Sequence, residues 1–188
     1  VEAYLSQKAN FFSDMFVEKG LEILTYALDG SPSLDITTPE EILLAQAGTM
    51  ISLATTSSSL GLASLLSLTI NSRYKMLKSL VSSILLPYMI EDISKYKSAK
   101  IVKLAKIMKC IPENEEETLG DAEICKYFVD SLRERIAKAN LPTRLKDLNL
   151  TIEQLSLAVE DVKQIDFVNT LPRSMSTDDI FDFIKLAY

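Results

Sequence analysis

From Ile42 to Ser72 the chain carries no charged residue, an uninterrupted neutral run of 31 positions. Few features constrain a fold more. About 20 apolar residues suffice to cross a bilayer, so a membrane span is the first reading to test. The middle of the run opposes it: Thr55-Thr56-Ser57-Ser58-Ser59 is polar, and Gly48 and Gly61 punctuate the two halves. Two buried helices joined by a polar turn satisfy both observations, and no membrane partner is expected.

Elsewhere the periodicity is that of helices. Phe12, Phe16, Ile23 and Ala27 share one face of a first helix, with Leu21, Leu24 and Leu28 widening the stripe. Asp29-Gly30-Ser31-Pro32-Ser33 ends that helix, Gly30 suiting its C-terminus. Thr38, Pro39 and Glu41 read as N-cap, first helical position and capping-box partner of the next. From Ser98 to Lys109, Ile101, Leu104, Ala105 and Met108 share a face, while Lys100, Lys103, Lys106 and Lys109 form a row that reads as solvated. Pro112 and Glu113 to Glu117 form an acidic loop before an amphipathic helix from about Leu119 to Ala139. After a connector at Leu141–Leu148 comes a helix from Thr151 to Val162, with Thr151 and Gln154 as its capping box. A last helix begins at Ser176 or Thr177, with Asp178 and Asp179 in its first turn. Strand alternation of useful length is missing. The fold class expected is all-α, a helical bundle forming a single domain over residues 1–188.

Composition narrows function by exclusion. A formal net charge of -6, from 20 basic against 26 acidic residues, opposes a nucleic-acid partner, which calls for a basic face. Histidine is absent altogether. Cys110 and Cys125 alone cannot frame a disulfide-rich fold or a four-ligand zinc site, and Cys125 shares a stripe with Phe128, Val129, Leu132 and Ile136. Both read as buried free thiols in a reducing, cytoplasmic setting. The chain begins at Val1 without a secretory leader, as a fragment of a longer protein would.

Short motifs are weak. Among only five glycines there is no phosphate-cradling loop. Tyr4-x-x-x-Lys8 and Tyr74-x-x-x-Lys78 match a dehydrogenase spacing without the dinucleotide fold it needs. Ser72-x-x-Lys75 matches a nucleophile motif whose K-T-G partner is missing, and Asn149-Leu150-Thr151 is a glycosylation sequon. Glu91, Asp92, Asp161 and Asp166 read as solvated carboxylates, with no two of them placed in one pocket.

One longer pattern stands above these. Leu60-Gly61-Leu62-Ala63-Ser64, followed by Leu68, and Leu77-Lys78-Ser79 with Ser82 and Leu85-Leu86-Pro87 resemble the metal-binding stretch of iron-containing alcohol dehydrogenases. That stretch runs L-G-x-V-H-x-x-x-H-P and later P-H-G-x-x-N-A-x-L-L-P. Glu2-Ala3-Tyr4-Leu5-Ser6 resembles the family's E-A-Y-x-S, and Asn10-Phe11-Phe12-Ser13-Asp14 its N-P-x-S-D. Met50 and Ala54 fit an A-x-x-M-x-x-A helix, Leu141–Leu145 fits G-x-P-x-x-L, and Asn169–Ser176 fits N-P-R-x-x-T.

The resemblance implies that residues 1–188 are the C-terminal helical domain of a two-domain protein. The N-terminal half would bind NAD(P) and be this domain's partner, with room for a homo-oligomer. It implies NAD(P)-dependent oxidoreduction of alcohols and aldehydes, with iron or zinc among one aspartate and three histidines. The first two ligands would precede Val1. The other two positions match Ser64 and Lys78, 14 residues apart, and Leu68 matches a further histidine near the nicotinamide. A serine hydroxyl is a poor ligand and a lysine ammonium repels a metal. The expectation is a degenerate member with no metal site and no cofactor in this chain, acting as a structural or regulatory module. The alternative is a metal-independent NAD(P)-linked oxidoreductase in which Lys78 supplies the positive charge at the developing alkoxide.

Overall fold

The computed structural model describes residues 1–30, 37–112 and 118–188. Ser31, Pro32 and Ser33 of the first expected loop, and Glu113–Glu117 of the acidic one, lie outside them. Among the described residues eight helices follow in order: α1 Glu2–Leu5, α2 Phe11–Asp29, α3 Glu40–Ser57, α4 Leu62–Tyr74, α5 Lys78–Ile107, α6 Asp121–Lys138, α7 Ile152–Val162 and α8 Thr177–Ala187. Short 3-10 turns span Leu145–Leu148 and Asp166–Thr170, and no strand occurs among the described residues. The all-α expectation holds.

The neutral run divides as expected into two helices, α3 and α4, which meet at 97°. No single helix among the described residues is long and apolar enough to cross a membrane. The two halves differ in burial. In α4, Leu62, Ala63, Leu65, Leu66, Ser67, Thr69 and Ile70 are buried, so the helix is enclosed almost all round. In α3 only Leu43, Ala47 and Ala54 are buried, while Ile42 and Leu53 are about half exposed. Only α4 is the buried helix expected of both.

Around α4 the core is continuous, from Ala3 to Ala187. Helices α5 and α7 pack against α4, α6 packs on α5, and α2 lies along α3. The buried face of α2 is Ser13, Val17, Gly20, Leu21 and Thr25, so of the expected stripe only Leu21 is fully buried. Phe12 is 62% exposed and Phe16, Ile23 and Ala27 are only half-buried. Gly20 explains the rotation: a Cβ built there would lie 3.1 Å from Ile51 Cδ1, so α3 seats where α2 has no side chain.

The capping box of Thr151 and Gln154 forms as expected; the last helix begins at Thr177, within the expected bounds, and Ser176 and Asp179 add a capping box of their own. At α3 the helix begins later than expected. Pro39 occupies the N-cap place and no side-chain cap bond forms there, since its ring leaves no capping oxygen. Cys125 is buried but Cys110 is only half-buried, because it follows the end of α5 rather than lying within a helix. Burial pushes both thiols up from their ordinary range.

Two members of the lysine row, Lys100 and Lys103, are not merely solvated, and Lys97 before them joins them. At Lys97 (φ -135, ψ 42) the backbone of α5 leaves helical geometry, and its ammonium donates to the Leu5 carbonyl at the end of α1 (2.7 Å). Lys100 donates to the Tyr4 carbonyl (2.8 Å) and to Asp14 (2.9 Å), lying over the Tyr4 ring. Lys103 reaches Glu18 (2.6 Å), which also accepts from the Tyr4 hydroxyl (2.7 Å). The acceptors lie far along the chain on α1 and α2, which a pattern of spacing cannot reveal. Ser58 and Ser6 complete the anchorage of α1, donating to the carbonyls of Ala3 and Thr170.

Candidate functional site

Ser64 stands at the third position of α4, where backbone N–H groups lack intrahelical partners. The carboxylate supplying one comes from α1: Glu2 Oε1 accepts from the Ser64 backbone N (3.1 Å), and Oε2 accepts from its hydroxyl. The site's first element is therefore a borrowed N-cap. Negative charge at that pole also complements the helix dipole. Gly61 makes the insertion possible, since a Cβ there would lie 2.5 Å from Glu2 Oε1 and 2.7 Å from Glu2 Cβ.

Beside this cap lies a cleft of about 260 Å³. Glu2, Thr55, Ser64, Ser82 and Ser83 give it oxygen atoms, and Val17, Ile51, Ala63 and Leu86 give it aliphatic walls. The structure thus brings Ser64 and Ser82 together, two positions singled out from the sequence. Lys78 and Leu68 do not line the cleft. Lys78 is exposed as the first residue of α5, and Leu68 is 37% exposed one turn beyond Ser64. Glu2, Thr55 and Ser83 went unrecognised as site residues. Only the E-A-Y stretch pointed toward Glu2, and nothing local pointed to the others.

The remaining candidates resolve into structural contacts. Glu91 and Asp92 share one groove after all, together with Asp179 and Asp182, because α8 packs alongside α5. Arg133 pairs with Glu91 (2.9 Å) and Arg173 with Asp92 (3.0 Å). Asp161 receives both guanidinium donors of Arg73, which hold its carboxyl below the usual range. Asp166 opens a 3-10 turn. Tyr74 donates to the Gln154 carbonyl and Lys75 to the Ser72 carbonyl, so neither short motif forms a reactive pair. Among the described residues, no three His, Cys, Asp or Glu side chains converge as a metal set.

Against known sequences, the Fe-containing alcohol dehydrogenase family, C-terminal, matches residues 1–188. The chain belongs to that family. Solved structures agree on the fold. A 1,3-propanediol oxidoreductase superposes with a TM-score of 0.86 at 18% identity, covering 100% of this chain and 48% of its own. An alcohol dehydrogenase from Oenococcus oeni gives 0.87 at 19% identity, covering 100% and 48%. An aldehyde reductase from E. coli gives 0.69 at 18%, covering 100% and 50%. This Fe-containing alcohol dehydrogenase family chain therefore spans about half the length of the structures it matches, and is similar to their C-terminal halves. No curated protein matches the sequence significantly.

Proposed function

We propose that this chain is the helical half of an Fe-containing alcohol dehydrogenase family protein in which metal-dependent alcohol oxidation has been lost. In this reading it serves as a structural or regulatory partner of a nucleotide-binding half in the same protein. The observation that carries the reading is the state of Ser64. At a position where the family resemblance puts a metal ligand, a neutral hydroxyl has its hydrogen committed to Glu2. The other ligand position holds an ammonium, Lys78, outside the cleft. Even with the family's first two ligands supplied from before Val1, this chain would add only one carboxylate and a few hydroxyls where the family adds imidazoles, a donor set that does not fit a divalent transition metal. Without such an ion nothing in this half polarises an alcohol oxygen in the family's way.

The test is metal analysis of the full-length protein after growth with iron and zinc, with an NAD(P)H titration of the same sample. Iron and zinc well below one per chain, with or without nucleotide binding, are the expected result. One tightly held iron or zinc per chain, together with alcohol-dependent reduction of NAD(P), overturns the reading.

A further inference from the structure

A groove of about 440 Å³ is walled by α5, the last turns of α6 and the connector that follows α6. Part of its wall is apolar: Ile84 and Pro87 of α5 are buried, and Ile136 of α6 is half-buried. Its charged groups are two guanidiniums, Arg133 and Arg144, and no Asp or Glu side chain lines it. The two differ in their partners. Arg133 lies over the Tyr88 ring (5.3 Å) and donates to Glu91 (2.9 Å), with Asp130 at 3.7 Å, so its charge is already shared. The backbone N–H of Arg144 donates to Asp147 (3.1 Å), but its exposed guanidinium has no hydrogen bond or ion pair to another described residue. The hydroxyls of Tyr88 and Thr143, which also line the groove, have no hydrogen-bond partner among the described residues either. The end of α6 spends its own acceptors: the carbonyls of Arg135, Ile136 and Ala137 accept from the N–H groups of Ala139, Leu141 and Asn140.

One guanidinium without an ion pair, a second that is shared, two unpartnered hydroxyls and an aliphatic wall complement a singly charged acceptor with a hydrocarbon body. A guanidinium presents a planar fork of donors that fits a carboxylate through two parallel bonds. We propose that this groove binds a small organic carboxylate, its head on Arg144 beside Thr143 and Arg133, and its chain against Ile84, Pro87 and Ile136. Inorganic phosphate would match the guanidiniums but leave the aliphatic wall wet. An alcohol would bring no charge, and an alkylammonium would meet two cations. The groove shares no lining residue with the cleft beside Ser64, so the inference stands whether or not the family metal has been lost.

Full-length protein is titrated calorimetrically with sodium hexanoate, sodium acetate, 1-hexanol, hexylammonium chloride and sodium phosphate in turn. Hexanoate is expected to saturate one site, with acetate and 1-hexanol each weaker by about tenfold or more and hexylammonium silent. Arg144→Gln removes the charge from an exposed side chain, and should weaken hexanoate by about tenfold while leaving the thermal midpoint at the wild-type value. Arg144→Lys keeps the charge without the fork and should fall between the two. No saturable hexanoate binding, equal affinity for 1-hexanol, or undiminished binding by Arg144→Gln overturns the proposal. Phosphate binding as tight as that of hexanoate, and equally weakened in Arg144→Gln, would make the groove an inorganic-anion site and overturn it too.

Discussion

Glu2 and Ser64 are joined twice, through backbone nitrogen and through hydroxyl, across 62 positions of sequence. This contact makes α1 the cap of α4, a helix with seven of its thirteen residues buried. Glu2→Ala should cost about 1–2 kcal/mol, the range of a lost N-cap strengthened by charge. Gly61→Ala should cost about 1–3 kcal/mol by overpacking against the Glu2 side chain. The double variant should cost less than both losses added, because the two substitutions act on one contact. Urea denaturation of the four proteins measures the coupling, and strict additivity would refute it.

The two halves of the neutral run should respond differently to truncation. Leu66 is fully buried in α4, whereas Leu53 on α3 is 46% exposed. Leu66→Ala should destabilise by about 2–5 kcal/mol, through lost transfer energy and the cavity left behind. Leu53→Ala should change stability by about 0.5 kcal/mol or less, as surface substitutions usually do. Denaturant midpoints with unchanged slopes would establish the contrast, and equal losses would mean that α3 is as enclosed as α4.

Acid should weaken the ties between α2 and its neighbours through Glu18. Burial alone raises the Glu18 pKa, but hydrogen bonds from Lys103 and Tyr4, with the charges of Lys103 and Lys100, outweigh it and leave it below its ordinary value of 4.5. A carboxyl lowered on folding contributes stability above its unfolded pKa, and that contribution fades as pH falls through the folded one. Thermal midpoints should therefore begin to drop below pH 4.5. Glu18→Gln should be less stable near neutrality and show a shallower acid slope. Parallel slopes would remove Glu18 from the account.

How much of this was legible depended on the distance between partners. The cap of α7 is written within four residues, Thr151 to Gln154, and the start of α8 at Ser176 or Thr177 is as local, so local pattern sufficed. The buried face of α2 was not, because periodicity weighs large apolar residues. Here the small residues Ser13, Gly20 and Thr25 are buried, with α3 seated at Gly20, while Phe12 is exposed. Lys100 and Lys103 look like part of a wet face until α1 and α2 supply their acceptors. At the site, the frame around Ser64 and Lys78 could be read by resemblance. The insertion of Glu2 could not, since it depends on a clearance at Gly61 that only the packed α1 reveals.

Lys78 is where stability and chemistry can be separated. It is the first residue of α5, so its ammonium faces the positive pole of the helix dipole, where negative charge is favoured. No hydrogen bond or ion pair to another described residue offsets that position. Lys78→Glu should raise stability by about 0.3–1 kcal/mol at low salt, and less as salt screens the interaction. Lys78→Ala should give part of that gain. If Lys78 is only a misplaced charge, both variants leave any NAD(P)-linked turnover of the full-length protein unchanged. A fall in turnover in Lys78→Ala, without loss of stability, would instead assign the ammonium to the chemistry and revive a metal-independent oxidoreductase.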